Sequence, residues 1–144
     1  MAERKIRIVL DTNWYISATI NKKSRKRLYP LLVHPKFRIF YSQDILGEYQ
    51  RVIVRPFFKK YVTDSQVARF LRLILPVVSK IDLKTEIRLS RDNNDDHVLS
   101  LAVDAKAHYL ISSDKDLLVL KNINKTKIVT MSEFWDIMSA KGML

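Results

Sequence analysis

Ile6-Arg-Ile-Val-Leu-Asp-Thr-Asn13 is the stretch that decides the fold. Five residues of strand-forming character run into Asp11-Thr-Asn13, residue types that start helices, so the stretch reads as a buried strand delivering an acid to a helix N-terminus. Tyr109-Leu-Ile-Ser112 followed by Ser113-Asp114 repeats the pattern, and Phe37-Arg-Ile-Phe-Tyr41 and Lys127-Ile-Val-Thr130 read as two further strands. Helical segments lie between them. Asn21 to Arg27 reads as a solvated basic turn leading into a short helix with Leu28, Leu31 and Leu32, closed by His34-Pro35. Ser42 is the expected N-cap of the next helix, with Asp44 in its first turn, running through Val54 because Arg55-Pro56 is a poor continuation. Thr63 and Asp64 cap another, whose Val67, Phe70, Leu71 and Ile74 follow a 3.6-residue stripe up to Pro76. A weak strand is expected from Val77 to Leu83. Val98, Leu99, Leu101, Ala102, Val103 and Ala105 mark a helix after the acidic stretch, and Ser132-Glu133 opens a last one with Phe134, Ile137 and Met138.

This alternation predicts an α/β fold, a parallel sheet joined by right-handed crossovers. In such open sheets the site lies beyond the carboxyl ends of the strands, where Asp11 and Asp114 fall. The 144 residues contain no repeat, low-complexity tract or linker and are read as one domain, 1–144.

The chain is 47% hydrophobic, enough for a sizeable core, and carries a formal charge of +11 with a pI near 10.0. That excess of Lys and Arg makes a polyanion the leading partner, although charge alone fits nucleic acid, an anionic membrane surface or an acidic protein equally. No stretch approaches the roughly 20 apolar residues of a membrane span, and Met-Ala-Glu-Arg-Lys5 leads into a strand without a secretory hydrophobic region. With no cysteine, disulfides, thiolate metal sites and cysteine nucleophiles are excluded. A cytoplasmic location is the expectation.

The acids stand out against this basic background. Asp11, Glu48, the cluster Asp92/Asp95/Asp96 and Asp114 sit where strands end or helices begin, and carboxylates gathered at one sheet edge repel one another unless a divalent cation lies among them. Asp11 alone has a bland reading of equal weight, that of a helix cap. Glu48 shares a helix face with Ile45, Tyr49 and Val52, so a core-facing stripe carries a carboxylate, costly unless it is paired or snorkels to the helix edge. Asp92, Asp95 and Asp96 exceed what one cap requires. Asp95, on the face of Val98, Leu99 and Ala102, is the preferred ligand, Asp96 next and Asp92 after it. Of Asp114 and Asp116, one is expected only to cap, and Asp114, nearer the strand end, is the better site candidate.

Val9-Leu-Asp11-Thr-Asn13, Ser42-x3-Leu46-x-Glu48, Asp92-x2-Asp95-Asp96-x2-Leu99-x2-Ala102 and Ala107-x-Tyr109-Leu-Ile-Ser112-Ser-Asp114-Lys-Asp116 together resemble the PIN-domain nucleases, in particular the prokaryotic toxin branch. Each motif is weak alone, but all four occur in order along the chain. The resemblance implies a three-layer α/β/α sandwich with a central parallel sheet and a Mg²⁺- or Mn²⁺-dependent endoribonuclease, together with homodimerisation and a cognate antitoxin. Asp11, Glu48, Asp95 and Asp114 match the family's acidic positions. Asn13 and Ser112 match its supporting polar ones. Two departures, Asn93-Asn94 after Asp92 and Ser112-Ser113 before Asp114, remove no carboxylate.

Phosphodiester hydrolysis needs an activated water and a stabilised leaving oxyanion, which Mg²⁺ or Mn²⁺ held by hard oxygen ligands can supply. Because acids repel phosphate, cations must bring the RNA in. The candidates are Lys22, Lys23, Arg25, Lys26 and Arg27 in the basic turn and Arg51, Arg55, Lys59 and Lys60 around the third helix, each with an equal claim to being merely solvated surface. Trp14, Tyr15 and Tyr41 can stack on bases, though aromatics beside strands are more often core. His34, His97 and His108 lack metal-ligand spacing. An aspartyl-phosphate mechanism lacks its second acid, since Asn13 stands there. Two alternatives remain: a housekeeping RNA-processing nuclease and a non-catalytic nucleic-acid-binding module. An unregulated ribonuclease endangers its cell, so restraint by a partner or by self-assembly is expected. The resemblance implies an antitoxin that covers the basic rim or inserts a positively charged side chain among Asp11, Glu48, Asp95 and Asp114, and the stripe of Val67, Phe70, Leu71 and Ile74 is a dimer candidate unless the core uses it.

Overall fold

The computed structural model describes residues 5–88 and 95–144. Its six-stranded sheet has the order β3-β2-β1-β4-β6-β5, formed by β1 (Ile6–Leu10), β2 (Phe37–Tyr41), β3 (Ser79–Lys80), β4 (Tyr109–Ile111), β5 (Asn122–Ile123) and β6 (Thr126–Val129). All pairings are parallel except the edge hairpin β5–β6. The chain builds outward from β1 through β2 to β3, then returns to add β4 on the other side of β1. That reversal makes the gap beyond the ends of β1 and β4 the topological switch point, where an open sheet splays its connections and leaves a crevice.

In-register residues of parallel strands point to one side of the sheet, which defines the layers. Arg7, Arg38, Val9 and Phe40 share one side by register. Arg7 lies 4.3 Å from the Phe40 ring and donates from Nε to the Ala105 carbonyl at 2.6 Å, at the end of α6 (Asp96–Asp104). The Phe37 and Tyr109 rings lie on the other side and both meet Phe134 of α8 (Met131–Ala140), at 5.6 and 5.3 Å. Helices therefore cover both sides, and the expected α/β sandwich is observed. Its centre is almost dry: Ile8, Val9, Leu10, Leu110 and Ile111 are buried.

The helices start and stop for local reasons. Asp11 caps α1 (Thr12–Ile20). Asn21 closes α1 with its N–H and opens α2 (Lys22–Val33) by accepting from Lys23 N. The basic segment Asn21 to Arg27 is thus not a turn. Six of its seven residues are the first turns of α2, because one Asn caps both helices and leaves no length for a loop. Ser42 caps α3 (Gln43–Ile53) as expected, and Pro56 starts the single turn α4 (Pro56–Lys59). Thr63 and Gln66 form a reciprocal capping box on α5 (Asp64–Ile74). Beyond the single turn α7 (Lys115–Leu118), α8 is capped by Thr130 with Glu133, and not by Ser132. The third expected strand shrinks to Ser79–Lys80, since only Tyr41 and Phe40 offer it a ladder.

The stripe of α5 is spent inside the chain. Phe70 and Ile74 are buried, and Val67 and Leu71 pack against the core. This overturns the stripe as a dimer surface; α5 packs against α1, and its Phe70 ring stacks on Tyr49 of α3.

Candidate metal centre

Asp11 follows the last residue of β1 and is held on three sides. Its N–H extends the sheet to the Ile111 carbonyl at 3.0 Å. Its carboxylate accepts from Thr12 N at 2.7 Å and from the Ser112 hydroxyl at 2.8 Å. Ser112 is fully buried and uses the same oxygen to accept Asp114 N–H at 2.9 Å. One hydroxyl therefore ties the ends of β1 and β4 together. Burial pushes the Asp11 carboxyl above its ordinary range, with Glu48 and Asp114 adding repulsion, while the two hydrogen bonds only partly oppose the rise.

Asp114 in turn caps α7 by accepting Asp116 N at 2.9 Å. That short turn brings Asp116 around to face Asp95, the residue preceding α6, whose side chain does not cap its helix. One carboxylate oxygen from each of Asp95, Asp114 and Asp116 lies within 4.8 Å of the others, and all three residues are partly buried. Asp116, expected on the sequence as capping or supporting, stands in this group as closely as Asp114, while the capping bond is made by Asp114.

Three carboxylates at this spacing, in partly desolvated surroundings, repel strongly unless a cation compensates them. The donor set is all hard oxygen. It fits Mg²⁺ or Mn²⁺ and lacks the thiolates or imidazoles that select zinc and copper.

The other candidates fall around this group. Glu48, on α3, is partly buried and meets His97 Nε2 at 3.5 Å. This contact, with help from the nearby Thr12 hydroxyl and the charge of Arg51, lowers the Glu48 carboxyl below its usual range against the opposing effect of burial. Thr12 contributes by proximity and does not complete a full hydrogen bond to Glu48. His97 has no role legible in the sequence beyond its place beside the acids; in the fold it connects α6 to α3 and steadies Glu48. Asp96 is buried but faces elsewhere, lining a hollow with Asp44, Ser100 and residues 83–88. Asn13 is exposed at the start of α1. Asp92 lies outside the described residues.

Among the cations, Lys22, Lys23, Lys26 and Arg27 are exposed on α2. Arg25 instead caps α1, donating to the Ala18 and Thr19 carbonyls at 3.0 and 3.2 Å, and Arg27 reaches Ser132 Oγ at 2.8 Å. Arg51 and Arg55 are exposed. Tyr15 is buried and Trp14 packs against the core, so these two rings belong to it, whereas Tyr41 is partly buried and lines an apolar cavity with Tyr15 and Tyr49.

An α/β sheet with acids from separate loops meeting over its switch point defines the class. The chain belongs to the PIN-domain family: residues 7–116 match the PIN domain model, and members of this family are generally nucleases. It is 31% identical over 127 residues to the uncharacterized protein MJ1680 of Methanocaldococcus jannaschii, covering 87% of this chain and 81% of that one. Among solved structures it is similar in fold to PAE2754 from Pyrobaculum aerophilum, with a TM-score of 0.63, 14% identity and coverage of 94% and 90%. It is also similar to VapBC2 from Rickettsia felis bound to a promoter DNA fragment, with a TM-score of 0.59, 18% identity and coverage of 85% and 97%. Among the described residues no helix is long and apolar enough to cross a membrane.

Proposed function

We propose that the protein is an endoribonuclease dependent on Mg²⁺ or Mn²⁺, acting as the toxin of a toxin–antitoxin pair. The observation that carries the catalytic part is the approach of Asp95, Asp114 and Asp116 to within 4.8 Å beside the buried Asp11–Ser112 pair. A cation bound there supplies the positive charge that attracts a phosphodiester and eases attack by water. Asp95, Asp114 and Asp116 hold it. Asp11, whose carboxyl is pushed up by burial, and Glu48, whose carboxyl is lowered by His97, flank it and are placed to orient water or accept a proton. The basic helix α2 and Arg51 and Arg55 draw in the RNA backbone.

The toxin assignment is supported by the likeness of fold to a chain of VapBC2, a complex of partners crystallised on their promoter. An antitoxin that covers the basic rim, or inserts a cation among the acids, is the expected partner. Homodimerisation is kept as part of this reading, on a surface other than the α5 stripe, and so is a cytoplasmic location.

The test is cleavage of an unstructured RNA by the purified chain with Mn²⁺ or Mg²⁺, in excess EDTA, and with Asp114→Asn. Activity abolished by the chelator and by the substitution is expected. Activity surviving both would defeat the metal mechanism, and binding without cleavage would leave a nucleic-acid-binding module. Growth arrest on inducing the wild type but not Asp114→Asn separates a toxin from a housekeeping nuclease.

A further inference from the structure

The turn α4 and the residues just after it carry an exposed aromatic pair that the fold does not need. Phe57 and Tyr61 keep 61% and 59% of their surfaces exposed, with their rings 5.7 Å apart. Beneath them Phe58 packs against the core and meets Phe57 edge-on at 5.1 Å and 89°, so the pair stands on an anchored base. Burying these rings against the domain was open to the chain, since an exposed Phe forgoes its transfer free energy. A second feature accompanies them. From Arg51 to Val62 the sequence holds Arg51, Arg55, Lys59 and Lys60 and no acid.

The patch also continues the acidic site. Glu48 and Arg51 lie one turn apart on α3, and the Arg51 guanidinium folds back over Gly47, where a Cβ would stand 3.2 Å from Nη1. α3 ends at Ile53, and Arg55 follows two residues later as the cap of α4. An acidic site, then cations, then exposed rings, is the order a polyanion with flat unpaired bases would meet. We propose that Phe57 and Tyr61, flanked by Arg51, Arg55, Lys59 and Lys60, form a stacking platform for unpaired bases of a single-stranded RNA lying across the site.

Charge decides this occupant. A second copy docking its own patch would bring four cations against four in a two-fold contact. Duplex nucleic acid offers no free base faces, whereas single strands bind through aromatic stacking beside basic grooves. The proposal rests on the ribonuclease reading, but is tested apart from it.

Binding of a short fluorescein-labelled oligouridylate is followed by anisotropy in EDTA, beside hydrolysis of a small chromogenic phosphodiester with Mn²⁺. Phe57→Ala with Tyr61→Ala is expected to weaken RNA binding about tenfold or more without changing its salt slope. Lys59→Gln with Lys60→Gln should flatten that slope by about 1.4. The alanine pair should hydrolyse the small diester as the wild type does. Phe57→Trp and Tyr61→Phe should keep affinity, and Phe57→Leu should not. Wild-type affinity in the alanine pair, or in Phe57→Leu, overturns the platform. So does a loss of self-association or of vesicle binding in the alanine pair with RNA affinity unmoved. Failure of the wild type to hydrolyse both the diester and an unstructured RNA with Mn²⁺ defeats the nuclease reading instead, and leaves the anisotropy result standing on its own.

Discussion

Ser112 and Asp11 are 101 positions apart, yet the Ser112 hydroxyl donates to the Asp11 carboxylate at 2.8 Å in a buried pair. The bond crosses the switch point and joins the first strand to the fourth. It is what allows a carboxylate to persist, 4% exposed, among other acids.

Ser112→Ala removes the donor and leaves Asp11 more weakly solvated. A loss of about 1–2 kcal/mol is expected, because a buried acceptor then lacks its partner. Urea titration measures it. The Asp11 carboxyl should rise further, so the acidic limb of the pH–rate profile should move to higher pH.

Asp11→Asn should stabilise the metal-free protein above the acid range. The folded Asp11 carboxyl is raised above its unfolded value, so its contribution is fully present below the unfolded pKa and is lost as pH rises through the folded one. Melting temperatures in EDTA should therefore diverge with rising pH, Asn above Asp by a few degrees for about 1 kcal/mol. Parallel curves at every pH would show that Asp11 ionises without cost.

Mn²⁺ affinity, measured by calorimetry, distinguishes the acids. Asp95→Asn, Asp114→Asn and Asp116→Asn should each weaken it tenfold or more, about 1.4 kcal/mol, whereas Asp96→Asn should leave it nearly unchanged. The reverse order for Asp96 and Asp116 would remove the three-carboxylate group from consideration.

His97→Ala should raise the Glu48 carboxyl toward its ordinary value. Glu48 is lowered in the fold, so its contribution is present above its unfolded pKa and disappears as pH falls through the folded one. The substitution should cost stability at neutral pH and little in acid, with Glu48→Gln abolishing the difference. The pair is partly solvated, so the effect is modest, about 1 kcal/mol or less.

The cations of α2 should separate into two kinds. Lys22→Ser, Lys23→Ser and Lys26→Ser together should flatten the salt dependence of RNA binding by about 2 and leave the melting temperature alone. Arg25→Ser should lower it, because the Ala18 and Thr19 carbonyls at the end of α1 then lose their donor.

What the sequence determined by itself is local. Strand runs ending in an acid, Ser42 and Thr63 as caps, Pro56 as a stop and the 3.6-residue stripe of α5 are legible because each depends on neighbours within a turn or two. The parallel sheet is legible in the alternation of strands with helices, and so is its carboxyl edge as the place of the acids. What only the tertiary structure decided is which acids meet. Asp95 and Asp116 are separated by 20 intervening residues, and Asp116 reaches the group because Asp114 caps a single turn that swings it inward. Asp96, a neighbour of Asp95 in the chain, points away because successive helical residues are rotated by about 100°. The pairing of His97 with Glu48 and the use of Arg25 as a cap depend on how α3, α6, α1 and α2 pack, and packing is set by long-range burial that no residue's immediate neighbours encode.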